Sequence, residues 1–194
     1  MSTTTTPATA TATAARTAPA AAAGAATAGP ATVHTVVDSP CGPLTLVARE
    51  GGLAGLYMTQ QRHRPDEDTF GPRADLPVFE QATAQLAEYF AGDRTDFDLD
   101  LRLAGTPFQQ RVWAALRNIP YGETVSYGEL ADVLGQPGAS RAVGLANGKN
   151  PVGIIVPCHR VIGANGSLTG YGGGLDRKRW LLAFERGTQQ PTLI

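Results

Sequence analysis

The first 32 residues restrict most strongly what this chain can fold into, because they hold almost nothing that could form a core. From Met1 to Thr32 the sequence is almost entirely Ala, Thr, Gly and Pro; the first branched aliphatic residue is Val33 and the first acid is Asp38. Such a segment cannot bury enough apolar surface to offset the entropy that it would lose on ordering. We therefore predict that it is disordered and that folding is confined to residues 33–188, with 189–194 as a second short tail.

The chain carries no clear signal for export or membrane insertion. A secretory signal needs a basic start and a Leu-rich apolar centre, and the first 32 residues have neither. The lack of acids there would suit a transit peptide, but Arg16 is the only basic residue in the segment. No stretch is apolar for long enough to span a bilayer. We predict a cytoplasmic protein with no membrane partner, in which cysteines stay reduced.

Residues 33–103 predict a small α/β domain with an acidic surface. Apolar runs bounded by Pro and Gly turns indicate three strands and then a fourth, shorter one: His34–Asp38, Leu44–Ala48, Leu53–Met58 and Phe97–Leu101. Apolar residues at spacings of three and four predict a helix from Pro77 to about Phe90. The segment between this helix and the third strand is polar and contains proline, as in a loop.

Residues 104–188 predict helices in series. Thr106 and Pro107 suit the cap and first turn of one helix, and Ser126 and Glu129 have capping-box spacing at the start of another. The turn Gly135-Gln136-Pro137-Gly138 then leads to a short helix at Ser140–Ala146, which completes a helix-turn-helix pattern. Short helices joined by a glycine turn are also common in proteins that never touch DNA. The last helix is predicted at Leu175–Arg186, with its aromatic residues turned inward.

The two halves of the chain differ in charge. Residues 1–103 hold 7 basic and 12 acidic residues, a net charge of −5, whereas residues 104–194 hold 9 and 5, a net charge of +4. This asymmetry suggests that the C-terminal half meets an anion such as nucleic acid, although chance alone could produce it in a chain of this size.

Cys158 lies in the run Pro157-Cys158-His159-Arg160 and is the residue on which a functional assignment depends. It could be a buried hydrophobe, a metal ligand, half of a disulfide or a nucleophile. The only other cysteine, Cys41, is distant and shows no ligand spacing, which disfavours a metal site. A thiolate nucleophile needs a base or positive neighbours, and both His159 and Arg160 are adjacent. Asn150, Tyr171 and Glu185 could support such a site if the fold brings them together.

These residues, taken with their spacing, resemble the O6-alkylguanine-DNA alkyltransferases. The resemblance covers about residues 34–187 and is carried by Asn150-Pro151, by Pro157–Val161, by Tyr171 and by the run from Gly174 to Glu185. It implies an α+β fold. A small ribonuclease-H-like α/β domain with a short antiparallel sheet would be followed by a mainly helical, winged-helix-like domain that binds DNA and accepts the alkyl group.

The resemblance also implies a role for each matching residue. Cys158 would accept the alkyl group irreversibly, while His159, acting through a water molecule and oriented by Glu185, would remove the thiol proton. Tyr127 would protonate the leaving guanine. The other expected catalytic residues are Asn150 and Lys178. The remaining expected contacts are with DNA, through Arg141, Tyr127, Arg160, Ser126 and Ala142, and with the extruded base, through Val161, Tyr171, Gly172 and Asn147.

The partner implied is double-stranded DNA carrying O6-alkylguanine, and O4-alkylthymine is a second candidate lesion. The lesion lies within the base stack, so the nucleotide must be flipped out, with Arg141 filling the gap. Binding through the minor groove would need little base recognition. Alkylated sulfur cannot be regenerated by water, so each molecule would act once. We expect a monomer that uses no cofactor and binds no metal.

The chain departs from its relatives at three positions. Gly153 stands where some carry proline, Gly172 where some carry serine, and Asn147 where an apolar residue is common. Both glycines would enlarge or loosen the edge of the pocket, so they bear on the size of alkyl group that is accepted. Two alternatives remain: a non-catalytic alkyltransferase-like lesion sensor, which typically lacks the cysteine, and a cysteine hydrolase, which would turn over repeatedly.

Overall fold

The computed structural model describes residues 1–2 and 32–188 as a small sheet domain followed by a mainly helical one. The elements in chain order are β1 (Thr32–Val37), β2 (Leu44–Arg49), β3 (Gly52–Met58), α1 (Pro77–Ala91), α2 (Pro107–Leu116), β4 (Val125–Ser126), α3 (Tyr127–Val133), α4 (Ser140–Gly148), β5 (Val161–Ile162) and α5 (Leu175–Glu185). The predicted tails lie outside the described residues, apart from positions 1, 2 and 32. Thr32 pairs with Arg49 and so belongs to the sheet rather than to the tail.

The sheet is an antiparallel meander in the order β1-β2-β3. Leu46 lies opposite Leu56 in the β2–β3 register, and both are fully buried. The helix α1 packs on β2 and β3 with its apolar stripe, which includes Phe79 and Leu86. It ends where Gly92 adopts a left-handed backbone conformation (φ 86°), which glycine reaches without steric cost.

The strand predicted at Phe97–Leu101 does not form. Leu101 makes only an isolated bridge to Leu53. Pairing with β3 is limited to Leu53, which bonds to the backbone of Asp100 and Arg102. At Asp98 the side chain of Gln85, on α1, instead binds both backbone groups, accepting from the N–H at 2.8 Å and donating to the carbonyl at 2.7 Å. Because the backbone is satisfied by a helix side chain, no neighbouring strand is needed at this point.

Capping residues position the helices of the C-terminal half. Capping boxes occur at the start of α2, between Thr106 and Gln109, and at the start of α3, between Ser126 and Glu129. The helices α2 and α3 both pack on α4. Trp113, buried in α2, donates its indole N–H to the carbonyl of Ala146 at 2.9 Å. The predicted helix-turn-helix is therefore present as α3, a turn and α4.

One continuous core connects the two halves. Tyr89, near the end of α1, is fully buried and has Phe184 of α5 at a ring-centroid distance of 5.6 Å and Tyr121 at 6.0 Å. Aromatic rings at such distances and steep angles pack favourably edge to face. This contact holds α1 against α5, and it brings a hydroxyl group of the N-terminal half next to Glu185.

The predicted α+β fold class is confirmed by this sequence of elements, a three-stranded antiparallel sheet with one helix followed by helices. Within residues 1–2 and 32–188, no helix has the length and apolar character that crossing a bilayer requires.

Candidate active site

A tight turn at Pro157 sets the direction of Cys158. Pro157 has φ −81° and ψ 60°, and the N–H of Cys158 donates to the carbonyl of Val156 at 2.8 Å. These are the features of an inverse γ-turn, and the ring of proline favours the required φ. The chain then continues as one 3₁₀ turn over Cys158–Arg160, not as a strand. Consecutive side chains in such a turn need not point to opposite sides, so Cys158 and His159 are both buried.

Two asparagines hold this turn by hydrogen bonds: Asn147 lies in the last turn of α4 and Asn150 lies just after the helix. Asn150 donates from its side-chain amide to the carbonyl of Val156 at 2.8 Å and accepts from the N–H of Val152 at 3.0 Å. Asn147 donates to the carbonyl of Cys158 at 3.2 Å. The backbone around the cysteine is therefore held by side chains whose own position is fixed by the helix-turn-helix.

Glu185 is the centre of a buried hydrogen-bond network. Its Oε1 lies 2.8 Å from Nε2 of His159 and accepts from the hydroxyl of Tyr89 at 2.7 Å. Arg160 donates to both carboxylate oxygens at 2.9 Å, and the N–H of Gly122 donates to Oε2 at 3.1 Å. A buried carboxylate is stable only when it is paired and hydrogen-bonded in this way.

The network determines the charge on each group. Burial of Glu185 opposes ionisation, but His159 and Arg160 outweigh it and hold the pKa of that carboxyl well below its usual range. Burial lowers the pKa of His159, with Glu185 opposing the shift and Arg160 adding to it. The imidazole is therefore neutral near pH 7. A carboxylate can only accept, so Nε2 carries the proton and Nδ1 has its lone pair available.

Nδ1 of His159 has no hydrogen-bond partner among the described residues, although it is buried. Burial raises the pKa of the neighbouring Cys158 thiol; the amide of Asn150, the charge of Lys178 and two backbone N–H groups offset part of that rise. The site therefore combines a protonated thiol, a neutral imidazole with an unused acceptor and an ionised carboxylate. That combination can remove a proton from sulfur and stabilise the resulting imidazolium.

Lys178 lies fully buried at the other side of the cysteine. Its ammonium group donates to the carbonyls of Val161 at 2.6 Å, Thr169 at 3.0 Å and Gly170 at 3.3 Å. Burial lowers its pKa to about 8, while the proximity of Cys158 acts in the opposite direction. The lysine is therefore charged at neutral pH. It fastens the loop after β5 and supplies a positive charge that favours the thiolate.

Cys158 lies at the base of a narrow cleft that is open to solvent. The cleft is lined by Gln61, Asn147, Gly148, Asn150, Gly153, Cys158, Tyr171, Gly172 and Gly173. Asn147 Oδ1 is buried and has no hydrogen-bond partner among the described residues. An unused acceptor at the wall of a cleft is suited to a ligand that carries N–H groups.

The structure thus brings together Cys158, His159, Glu185, Asn150 and Lys178. Tyr127 lies near the ammonium of Lys178, at 5.9 Å from ring centroid to Nζ, and its hydroxyl donates to the carbonyl of Thr169 at 2.9 Å. Of the residues expected at the base, Asn147, Tyr171 and Gly172 line the cleft, whereas the side chain of Val161 is fully buried.

The residues expected to contact DNA fall into two groups. Arg141 and Ala142 are exposed at the start of α4, and Arg141, Tyr127 and Leu145 line one shallow surface. Ser126 is half-buried, and its hydroxyl accepts from Glu129 in the cap of α3. Arg160 does not lie at the surface.

The expected contact between Arg160 and DNA is inconsistent with its position. Its side chain is buried, pairs with Glu185 and also donates to the carbonyl of Ile119 at 2.6 Å. Its guanidinium is thus engaged within the core, so Arg160 is a structural partner of the carboxylate. The family resemblance implied a DNA contact at Arg160, whereas its partner in the structure is Glu185, 25 residues further along the chain.

Sequence reasoning missed three residues that the structure places at the site. Tyr89 binds Glu185, and Gln61 lines the cleft. Arg177 donates hydrogen bonds to backbone carbonyls of the loops around the cleft. Tyr89 belongs to a helix whose aromatic residues indicated only a core, and Gln61 belongs to a segment that looked like an ordinary polar loop. Neither has a local signal, because each meets the site through a contact that is distant in sequence.

Comparison with known proteins gives two family matches. Residues 32–103 match the model described as 6-O-methylguanine DNA methyltransferase, ribonuclease-like domain, and residues 107–187 match the model described as 6-O-methylguanine DNA methyltransferase, DNA binding domain. The predicted ribonuclease-like and DNA-binding architecture is therefore confirmed.

Similar curated proteins carry one common name. The methylated-DNA–protein-cysteine methyltransferase of Mycobacterium tuberculosis is 58% identical over 153 residues, covering 79% of this chain and 92% of that protein. A protein of the same name from Methanosarcina acetivorans is 50% identical over 153 residues, covering 78% and 97%. Among solved structures, the Mycobacterium tuberculosis OGT in complex with DNA has a TM-score of 0.76 at 56% identity, covering 81% of this chain and 95% of that one.

Proposed function

This chain belongs to the 6-O-methylguanine DNA methyltransferase family and is a DNA repair protein that transfers methyl groups from DNA to a protein cysteine, and we propose that Cys158 is the acceptor. What supports this assignment is the position of Cys158 at the base of a cleft, beside a neutral His159 whose Nδ1 is unused and whose Nε2 is held by Glu185. Cys41, the other cysteine, has no comparable surroundings.

The proposed reaction is a direct displacement at the alkyl carbon. The sulfur of Cys158 forms a bond to that carbon while the bond from carbon to guanine O6 breaks, and the electron pair of that bond goes to the purine. His159 takes the thiol proton through a water molecule, and Glu185 stabilises the imidazolium. Tyr127 supplies a proton to the leaving guanine. The thiol proton remains on His159 and the proton on the base comes from Tyr127, so neutral guanine and a thioether form beside an imidazolium and a tyrosinate. Exchange of one proton with water then returns His159 and Tyr127 to their neutral forms.

The neighbours of the thiol act on different parts of this reaction. Lys178 favours the thiolate through its charge, and Asn150 keeps the γ-turn that presents the sulfur to the cleft. Tyr127 would have to release the carbonyl of Thr169 to reach the purine, because its hydroxyl can donate only one proton. A thioether has no leaving group for water to displace, so the reaction stops after one turnover.

We propose that the DNA partner is a duplex carrying an alkylated base, bound through its minor groove by α3 and α4. The exposed face at the start of α4 carries Arg141 and the small side chain of Ala142, which would allow close approach to the backbone. The guanidinium of Arg141 is of a suitable size and charge to fill the gap left by a flipped nucleotide. Phosphate contacts would make the affinity depend on salt.

The proposal includes a monomeric state and a cytoplasmic location. Both cysteines are free thiols in the structure, which is the state that a reducing compartment maintains. The mass of the protein in solution, measured by light scattering with and without DNA, tests the first of these statements.

The experiment that tests the acceptor is mass spectrometry after mixing the protein with a duplex that contains one O6-methylguanine. We expect one methyl group per protein, located on the peptide that bears Cys158, and no transfer in Cys158→Ser. The matched variant Cys41→Ser should still be methylated once. Methylation of another residue, or tight lesion binding with no change in mass, would contradict the assignment.

A further inference from the structure

One wall of the cleft at Cys158 comes from the N-terminal half of the chain. The loop that follows β3 carries Gln61 into the cleft lining, although the cysteine and the other lining residues belong to the C-terminal half. The side-chain carbonyl of Gln61 accepts from the N–H of Met58 at 2.9 Å, which folds the side chain back over the end of β3. This hydrogen bond restricts the rotamers that Gln61 can adopt.

Gln61 lies directly against the backbone of Gly172. A side-chain carbon at position 172 would lie 3.4 Å from Cγ of Gln61, 3.5 Å from the carbonyl oxygen of Arg62 and 3.6 Å from Nε2 of Gln61. These are ordinary van der Waals distances. The sequence suggested open space beside Gly172. In the structure this space is bordered by the side chain of Gln61, from the other half of the molecule.

The two sides of this wall are fastened to each other. The N–H of Arg62 donates to the carbonyl of Gly172 at 2.7 Å. Arg177, at the start of α5, donates to the carbonyls of Thr59 and Gly173, both at 3.1 Å. The same guanidinium donates to the carbonyl of Cys41 at 3.0 Å. One side chain therefore holds together the loop after β3, the β1–β2 turn and the loop of residues 170–174, which we call the glycine loop.

Gly173 shows how tightly this junction is packed. A side-chain carbon at position 173 would overlap the sulfur of Met58 and would approach Cε1 of Tyr171 to 2.9 Å. Met58 is itself almost completely buried, with 1% of its surface exposed. The glycine loop therefore lies close to Met58 with no room for a side chain at position 173, and on its other side the cleft is bordered by the side chain at position 61.

We propose that Gln61 is a specificity-determining residue, which limits the size of the alkyl group that Cys158 can accept. The inference rests on the proposed function, since it assigns an alkyl group to the cleft. A methyl group extends little beyond the sulfur, whereas a longer chain on O6 must occupy space along the cleft wall. Gln61 restricts that space on the side where Gly172 has no side chain.

The test compares transfer rates from O6-methylguanine and O6-butylguanine placed in the same duplex. Removing the side chain in Gln61→Ala should increase the ratio of the butyl rate to the methyl rate on the order of tenfold, because a few methylene groups in a pocket carry discrimination of that size. Gln61→Met keeps the volume and should leave the ratio near that of the unchanged protein.

The matched control is Gln81→Ala, which also removes one side-chain hydrogen bond to a backbone group, on the exposed side of α1. It should leave the ratio unchanged, and thermal unfolding would show that all three variants are folded. A ratio that stays constant or falls in Gln61→Ala would overturn the inference while methyl transfer continued. Absence of transfer from both lesions in the unchanged protein would instead overturn the proposed function.

Discussion

The two cysteines of this protein are both buried, and they differ in what surrounds them. Cys41 lies in the β1–β2 turn with no exposed surface, and burial raises the pKa of its thiol to about 12, against a small opposing effect of Arg177. Cys158 has 6% of its surface exposed, at the base of a cleft, and Asn150, Lys178 and backbone N–H groups oppose the effect of burial on its pKa.

The comparison indicates that burial keeps a thiol protonated unless several neighbouring groups oppose it. Around Cys41 only Arg177 opposes the effect of burial, and we expect this sulfur to act as a small apolar residue. The fold makes Cys158 different by placing a base, a cation and an amide around it, each fixed by hydrogen bonds to other parts of the chain. If this explanation is correct, removing those neighbours one at a time should bring Cys158 closer to the behaviour of Cys41.

The largest effect is expected for Glu185→Gln. The substitution removes the negative charge that stabilises the imidazolium of His159, so we expect the single-turnover transfer rate to fall by about 10²–10⁴-fold, the usual contribution of an oriented acid–base group. The measurement is the rate of methyl transfer from a duplex with one O6-methylguanine.

Glu185→Gln also leaves Arg160 buried without its counter-charge, so stability must be measured beside the rate. We expect the free energy of unfolding to fall by about 3–5 kcal/mol, as is usual when one partner of a buried ion pair is removed. A second variant, His159→Gln, keeps the Arg160–Glu185 pair and should lose a similar factor in rate. If the His159 variant retained the full rate, proton removal through His159 would be wrong.

A smaller effect is expected for Lys178→Gln, which keeps a donor for the surrounding carbonyls but removes the charge beside Cys158. Loss of one pKa unit of thiolate stabilisation corresponds to about a tenfold slower transfer near neutral pH. The pKa of Lys178 is lowered to about 8, so the unchanged protein loses the same charge as the pH rises through that value. The deficit of the variant should therefore shrink above about pH 8.

Lys178 loses its favourable effect on the transfer rate as the pH rises above about 8, but its effect on the free energy of unfolding becomes more favourable over the same pH range. Its pKa is about 8 in the folded protein and 10.5 in its ordinary environment, so between these values the unfolded chain binds more protons. The free energy of unfolding contributed by this group must then increase as the pH rises through that window. Wild type should gain stability relative to Lys178→Gln between about pH 8 and 10.5; a parallel pH dependence of the two proteins would show that the lysine is not desolvated.

Local sequence patterns predicted the features that are determined by residues close together in the chain, such as helix starts and the cysteine motif. The capping residues Thr106 and Ser126 mark the starts of α2 and α3, and the run around Cys158 identified the cysteine worth examining. The strand at Phe97–Leu101 was wrong because Gln85, on another element, takes the backbone groups that a neighbouring strand would have used. No local pattern reports such a contact.

The candidate site shows the same limit. Arg160 was expected to contact DNA because of the family resemblance, but it is buried in an ion pair with Glu185. Gln61 and Tyr89 gave no signal, since each reaches the site across the junction between the two halves. Residues that act through long-range packing, Arg160 among them, therefore required the structure, whereas Cys158 and His159 could be identified from the sequence.

The smallest effect is expected for Tyr89→Phe, which tests whether the N-terminal half adjusts the reactivity of Cys158 through Glu185. The hydroxyl of Tyr89 donates to the same carboxylate oxygen that lies next to His159, and burial, together with Glu185, raises the pKa of this tyrosine well above its usual value. It therefore remains a donor at every working pH. Without it, the carboxylate keeps more negative charge for His159 and the pKa of that imidazole should rise.

The acid limb of the rate–pH profile should then move to higher pH in Tyr89→Phe, while the rate near neutral pH should change by less than about threefold, since one of several donors is lost. The free energy of unfolding should fall by about 1.5–3 kcal/mol, as for a hydrogen bond to a charged group. Tyr57→Phe, a buried tyrosine stacked on Phe70 in a separate cluster, is the matched control and should leave the profile in place. A loss of stability with no shift of the acid limb would mean that Tyr89 only packs the junction, and that the difference between the two thiols arises entirely within the C-terminal half.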